Sequence, residues 1–431
     1  MSELVVSAPA RPLRGRLRIP GDKSISHRAV LLAARAEGRS SLRGLSDGLD
    51  IRHTLDAVAA CGAAVSSSSL VGDDRVTIEG GASRLHEPAA VIDVGNSGTG
   101  IRLLAGWSAG LPWLTVLQGD ESIAERPMGR VTSPLREMGA RIDGRADGRL
   151  PPLVIRGGGL SGIDYLLPVA SAQVKGAILL AGLSAAGPTI VREAVPTRAH
   201  TEELLATGGA DLAVEPGVVT LQPSTLRPFE LDVPGDHSQA AFWVVAACLV
   251  PGSDLVVEHV YVGQARAGFL DVLRRMGADI ALENEDPVEH TADIRARSTG
   301  LRATSVGGSE VPGLIDEIPV LAVAAALAEG PTTFADAGEL VVKESDRITS
   351  IVTGLRALGV KAEPRADGLV VEGSGGRPLT GGSVDAYGDH RIAMALAVAG
   401  LAATGATAIE GSQSVASSYP SFEEDLRRCV S

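Results

Sequence analysis

GDKSISHRAVLL, residues 21–32, places a small polar cluster directly before an apolar run at helical spacing. Asp22 is a residue type that caps helix N-termini, so the stretch reads as a cap followed by a buried helix. The same transition returns as GNSGTGIRLLAG (95–106), SAQVKGAILLAG (171–182), GDHSQAAFWVVA (235–246), DEIPVLAVAAAL (316–327) and GDHRIAMALAVA (388–399). With Asp22, Asn96, Ser171, Asp236, Asp316 and Asp389 as markers, the spacings are 74, 75, 65, 80 and 73 residues. All six markers are good N-cap types.

A second pattern lies between these starts: LDAVAACGAAV, LREMGARI, LLATGGADLAV, VLRRMGADIAL and GLRALGVKAE. Each has apolar residues at helical spacing, a glycine suited to the C′ position (Gly62, Gly139, Gly209, Gly277, Gly359), and then a strand-like alternation. Together the patterns predict six copies of a βαβαββ unit. Their period exceeds that of common solenoids, so each copy is expected to be a packed subdomain. Six units divide into two groups of three. The chain is expected to cross between groups near residues 15–20 and again at 225–234, where Pro228 and Pro234 precede Gly235-Asp236. The expected domains are 1–18 with 235–431, and 19–234. If equivalent helices run parallel within a group, their N-termini gather and favour anions. Six ordinary caps are the plain structural alternative.

A chain of 431 residues with 45% hydrophobic and 21% charged residues is globular rather than disordered. Its net charge of −13 argues against a broad nucleic-acid surface. Cys61, Cys248 and Cys429 are far apart and odd in number, which fits neither a disulfide framework nor a thiolate metal site. The first 21 residues lack the apolar core of a signal peptide, and the longest apolar runs fall short of the ~18 residues of a membrane span. A cytoplasmic protein is expected. Only four lysines, Lys23, Lys175, Lys343 and Lys361, stand among 39 basic residues. In so arginine-biased a chain the survivors mark places that need a compact or titratable ammonium.

Lys23, Ser24 and Arg28 fall within about one helical turn, and Ser24 and Arg28 share a face. Three glycines around Ser97 and Thr99 let backbone N–H groups approach an anion, although the Gly-Lys-Ser/Thr ending of a Walker A loop is missing. Arg126 lies in a charged stretch, 119–130, which reads either as a surface loop or as a segment closing over a phosphate or carboxylate. Ser171, Gln173 and Lys175 open another helix. Lys343 and Arg347 stand at i and i+4 beside Glu344, and Asp316, Asp389, His390 and Arg391 complete the set.

GDKSISHR, GNSGTGIR, ERPMGR, SAQVKGAILLAG, DEIPVLA, KESDR and GDHRIAM, in this order and spacing, resemble the 5-enolpyruvylshikimate-3-phosphate synthase family over nearly the full chain. SAQVKGA looks like its class II bacterial subgroup. The resemblance implies an α/β fold, a two-domain inside-out barrel with three βαβαββ units per domain that closes over substrates in the interdomain cleft. It implies transfer of the enolpyruvyl group of phosphoenolpyruvate to the 5-hydroxyl of shikimate 3-phosphate, by a monomer, with no metal or organic cofactor and no nucleic-acid or membrane partner. It places Lys23, Ser24, Arg28, Ser171, Ala172, Gln173, Arg198, Asp316 and Lys343 around shikimate 3-phosphate. Lys23, Gly98, Arg126, Gln173, Arg347 and Arg391 fall around phosphoenolpyruvate. Asp316 is then the base for the 5-hydroxyl and Glu344 the acid for the methylene carbon, with Lys23 also counted as catalytic. Glyphosate is expected to occupy the phosphoenolpyruvate site. One departure is Ser417, where many relatives carry lysine before the aromatic-Pro segment, and Lys175 is a candidate source of the missing charge.

The chemistry agrees with such a residue set. Two phosphates and two carboxylates repel one another in a closed site, so many cations are required. An alcohol adding to an enol ether must lose a proton while the neighbouring carbon gains one. A rival is UDP-N-acetylglucosamine 1-carboxyvinyltransferase, which typically has a cysteine five residues before the Arg-Pro of its mobile loop; here that position is Glu121. An RNA 3′-phosphate cyclase-like protein or a noncatalytic anion-binding scaffold is a more remote alternative.

Overall fold

The computed structural model describes residues 3–68, 74–263 and 266–430, which form a mixed α/β protein. The chain divides into two compact units, residues 21–233 and residues 1–20 with 234–431.

In the 21–233 unit, three four-stranded sheets share one topology. Asp164–Leu166, Thr189–Arg192, Val218–Leu221 and Leu212–Glu215 lie side by side in that order, the first pair parallel and the next two antiparallel. Ile92–Asp93, Leu114–Gln118, Leu150–Arg156 and Arg141–Gly144 repeat it. So do Glu230–Asp232, Gly38–Arg43, Val76–Gly80 and Ala64–Ser67. Parallel neighbours need a crossover, and the helices Gly98–Ala109 and Ala172–Gly182 supply it in the two sheets with consecutive strands. In the third sheet the parallel partner of Gly38–Arg43 comes from the far end of the unit, Glu230–Asp232, just before the chain leaves it.

The other unit holds two such sheets. One is Arg14–Arg18, Asp254–Tyr261, Thr291–Arg297 and Asp279–Asp286; the other is Ser305–Val306, Pro331–Phe334, Gly368–Glu372 and Lys361–Arg365. A further sheet departs from the expected repeat. Ser383–Asp385 pairs parallel with Thr407–Glu410, the N-terminal strand Glu3–Val6 takes the third place, and the chain then ends in the Phe422–Val430 helix.

The central helices are apolar on every side and therefore buried on every side. All ten residues of Ile318–Leu327 are buried, and His237–Leu249 is buried from His237 through Cys248. Each large aliphatic side chain removed from water contributes ~1.5–3 kcal/mol, far more than helix propensity differences among these residues. In the 21–233 unit, Gly98–Ala109 packs against both Lys23–Arg35 and Ala172–Gly182. A Cβ on Gly106 would sit 2.1 Å from the carbonyl oxygen of Ala177, so the closeness of that crossing requires glycine. Trp107 adds a tether, its indole N–H donating to the carbonyl of Leu31 at 3.0 Å.

The five corner glycines all adopt positive φ, from 74° at Gly209 to 107° at Gly139, as the helix-to-strand pattern requires. Four of the six marker residues cap their helices: Asp22 accepts from Ile25 N, Ser171 from Val174 N, Asp236 from Ser238 N and Gln239 N, and Asp389 from Arg391 N. Asn96 does not cap; Ser97 takes that role and Asn96 donates to Asp120. Asp316 does not cap either, since its helix begins at Ile318 with Pro319 in the first turn, where a missing N–H leaves one fewer donor to satisfy. The Asp316 carboxylate is thereby left for other partners.

Candidate active site

In the 21–233 unit, Arg28 ties its own motif to the start of the Ala172–Gly182 helix and to Thr201. It is 2% exposed and donates Nε to Thr201 Oγ1 (2.7 Å), Nη1 to the Ser24 carbonyl (2.8 Å) and Nη2 to the Ala172 carbonyl (3.2 Å). These three acceptors are neutral, and they fix the orientation of the guanidinium. Beside it, Lys23 Nζ pairs with Asp50 at 3.0 Å. Ser171 and Ala172 start the next helix, and Gln173 reaches from it to the Gly98–Ala109 helix. Its carbonyl accepts from Arg102 Nη1 at 2.8 Å and its amide donates to Thr99 Oγ1 at 2.9 Å.

Gly98 is the first residue of its helix and not a turn glycine; the left-handed residue of that motif is Gly95, at φ 57°. A Cβ on Gly98 would meet Arg126 Nη1 at 3.1 Å and Arg102 Nη1 at 3.4 Å. Two guanidiniums therefore flank a helix N-terminus, where backbone N–H groups and the dipole already favour an anion. Arg126 is 6% exposed while Glu121, Glu125 and Pro127 of the same stretch are exposed, so the segment lies at the surface with Arg126 turned inward. Arg198 is half-buried between Thr197 and the His200–Thr207 helix.

Lys175 does not supply charge to a ligand. It is 1% exposed, with Nζ 2.9 Å from Glu193 and 2.6 Å from Glu202. The compact ammonium fits between two buried carboxylates, which accounts for a lysine in an arginine-rich chain. Burial pushes the Glu202 carboxyl up, against the pull of Lys175. Ser417 is likewise occupied locally, its hydroxyl donating to the Ser414 carbonyl at 2.8 Å.

In the other unit the cluster is built around Asp316. Its Oδ1 accepts from Lys343 Nζ and from Arg347 Nη1, each at 3.2 Å, and Arg391 donates to its backbone carbonyl at 3.2 Å. Arg347, 1% exposed, also donates Nε to Asp389 at 2.7 Å and Nη2 to Glu344. Burial lowers the affinity of this guanidinium for its proton, but Asp389, Glu344 and Asp316 more than reverse that and raise it above its ordinary value. Lys343 and Arg347 do not share a helical turn, as their spacing suggested. The helix begins at Arg347 behind the cap Asp346, and it is Asp316 that draws the two cations together. Glu317, fully buried, lies 3.8 Å from Arg391.

The two clusters thus differ in kind. Lys23, Arg28, Arg102 and Arg126 make the first rich in cations, with Asp50 the acidic partner of Lys23. The second interleaves Lys343, Arg347 and Arg391 with the carboxylates of Asp316, Glu317, Glu344 and Asp389, so it holds groups able to accept and donate protons. Among the described residues no group of three or more His, Cys, Asp or Glu is arranged to hold a metal ion, and no helix is long and apolar enough to cross a membrane. Arg102 and Asp50 were not singled out from the sequence. Arg102 stands four residues after Gly98, a helical spacing that reveals it once the helix start is known, whereas Asp50 meets Lys23 only through the fold.

Residues 7–426 match the family model described as EPSP synthase (3-phosphoshikimate 1-carboxyvinyltransferase). A protein of Gloeobacter violaceus named 3-phosphoshikimate 1-carboxyvinyltransferase is 50% identical over 433 residues, covering 99% of each chain. One of the same name from Geobacillus kaustophilus is 49% identical, covering 96% of this chain and 97% of its own. Among solved structures, EPSP synthase from Acinetobacter baumannii superposes with a TM-score of 0.88 at 40% identity, over 99% of this chain and 98% of that one. The enolpyruvyl transferase NikO from Streptomyces tendae, at 20% identity and a TM-score of 0.79 over 99% and 97% of the two chains, shares the fold.

Proposed function

The chain belongs to the EPSP synthase family, and from that membership we propose how its two clusters carry out the 3-phosphoshikimate 1-carboxyvinyltransferase reaction. Lys23, Ser24, Arg28, Ser171, Ala172, Gln173, Arg198 and Lys343 hold shikimate 3-phosphate. Lys23, Gly98, Arg126, Gln173, Arg347 and Arg391 hold phosphoenolpyruvate. Asp316 takes the proton of the 5-hydroxyl as its oxygen bonds to C2 of phosphoenolpyruvate, and Glu344 delivers a proton to C3. Loss of a C3 proton then re-forms the double bond as the C2–O bond to phosphate breaks. The sum is an enolpyruvyl ether plus inorganic phosphate.

The observation that supports this division of labour is the contrast between the clusters, a cation-rich helix N-terminus in one unit and mixed acids and cations in the other. Arg347 pairs with Asp316 and Glu344, and Lys343 with Asp316. An anionic substrate group is attracted by the same cations, which keeps the two carboxyl groups beside the reacting atoms for proton transfer. Five sheets of one shared order support an inside-out α/β fold built from repeated βαβαββ units, and we read the protein as a cytoplasmic monomer.

Phosphate release from phosphoenolpyruvate is the test, with and without shikimate 3-phosphate. Release is expected only with that co-substrate. Release with UDP-N-acetylglucosamine instead would overturn the assignment.

A further inference from the structure

His27 belongs to the first motif, yet the chemistry above gives it nothing to do. Its ring is fully buried, and both nitrogens are engaged: Nδ1 lies 2.7 Å from Thr54 Oγ1 and Nε2 lies 3.2 Å from Ser97 Oγ. One assignment of the protons satisfies every neighbour. Thr54 Oγ1 donates its one proton to the Asp50 carbonyl at 3.2 Å, so toward His27 it accepts, and Nδ1 carries the hydrogen. Nε2 is then a lone pair that accepts the Ser97 hydroxyl. Ser97 Oγ in turn accepts from Gly100 N at 3.0 Å, capping the Gly98–Ala109 helix.

Burial, with Lys23 and Arg28 on the same helix, holds the ring well below the usual histidine range, outweighing Asp22, so the neutral form that this chain of bonds requires is the one present. Asp50 and Thr54 face the ring from the Leu49–Ala60 helix, Asp50 through its carbonyl by way of Thr54. Ser97 and Gly100 face it from the Gly98–Ala109 helix. Asp50 also carries the carboxylate that pairs with Lys23. An unbroken path, Lys23 to Asp50 to Thr54 to His27 to Ser97, therefore connects the ammonium to the N-terminus that presents Gly98 and Thr99.

We propose that neutral His27 is a positioning residue for phosphoenolpyruvate, setting the Gly98 helix N-terminus at a fixed place relative to Lys23. The proposal rests on the reading above that Lys23 and Gly98 hold phosphoenolpyruvate. Two amide substitutions separate its two bonds. Gln reaches the place of Nε2 and can accept from Ser97; Asn reaches only the place of Nδ1 and keeps Thr54 alone.

The experiment measures KM for each substrate, kcat and the thermal midpoint for His27→Asn, His27→Gln, Ser97→Ala and the Asn/Ala double variant. His27→Asn is expected to raise KM for phosphoenolpyruvate about fivefold to tenfold, the loss of one buried hydrogen bond. KM for shikimate 3-phosphate should stay within about twofold, His27→Gln should recover most of the loss, and the double variant should be no worse than the poorer single one. A lower thermal midpoint with both KM values unchanged would overturn the proposal, as would equal rises in both KM values or a Gln variant no better than Asn. If His27→Asn fails to fold, Ser97→Thr against Ser97→Ala makes the same comparison, because only the Thr hydroxyl can keep both bonds. A Lys23→Met variant with unchanged phosphoenolpyruvate kinetics would instead sink the underlying site reading.

Discussion

Replacing Lys175 by Met removes the one cation between Glu193 and Glu202, both of whose side chains are about as buried as the lysine. Oε2 of Glu202 already lacks a hydrogen-bond partner among the described residues. Taking one member from a buried ion cluster leaves uncompensated charge and typically costs ~3–5 kcal/mol, several times the value of an exposed pair. For a unit of the size of residues 21–233, each kcal/mol shifts the midpoint by roughly 2–4 °C, so a fall of roughly 6–20 °C is expected. Acid should narrow the gap. Without the ammonium, the Glu202 carboxyl, which burial already pushes up, binds its proton more tightly in the folded than in the unfolded chain, so the variant gains stability as pH falls from 7 toward 5. The assay is thermal unfolding at both pH values, with phosphate release measured well below the midpoint. Lys175→Arg should restore stability only in part, because a planar guanidinium cannot take the place of a compact ammonium held 2.9 Å and 2.6 Å from two buried carboxylates without moving them. An unchanged midpoint together with lost turnover would refute the reasoning and return Lys175 to the substrate.

Lys23→Met should abolish phosphate release and, by orphaning Asp50, lower stability by ~1–3 kcal/mol; adding Asp50→Asn should restore the midpoint but not turnover. Turnover recovered in the double variant would show that Lys23 serves only to balance Asp50. Gly98→Ala keeps a helical backbone, but its methyl displaces Arg126 by a few tenths of an ångström. Glyphosate inhibition, expected to be competitive with phosphoenolpyruvate, should weaken more than the KM for phosphoenolpyruvate rises, and equal losses in the two constants would count against a selective steric effect. Glu344→Gln should preserve substrate binding while slowing solvent-deuterium incorporation at the methylene carbon by about a hundredfold or more, since the amide has no acidic proton to give. A normal exchange rate removes Glu344 from the acid role.

The starts and ends of the helices were legible in the linear chain because they depend on residues only a few positions apart. A side-chain oxygen caps N–H groups two or three residues on, and glycine alone reaches the left-handed conformation cheaply, so Asp22, Ser171, Asp236, Asp389 and the five corner glycines behave as their local patterns predict. Where two neighbours compete, local pattern is insufficient: Ser97 caps in place of Asn96, and Pro319 leaves Asp316 without a capping duty.

The motifs also pointed to the residue types of both clusters, but the partner of each charge was decided by tertiary contact. Gln173 meets Arg102 across 71 positions, Arg347 meets Asp316 across 31 and Lys23 meets Asp50 across 27. Lys175 and Lys343 look alike in the sequence, scarce lysines beside polar motifs, and the fold buries the first between two glutamates while leaving the second a quarter exposed beside Asp316. A lysine reads the same in the chain whichever environment it enters. Its role is set by desolvation and by the charges brought within about 4 Å of it, and both depend on which distant segments pack around it.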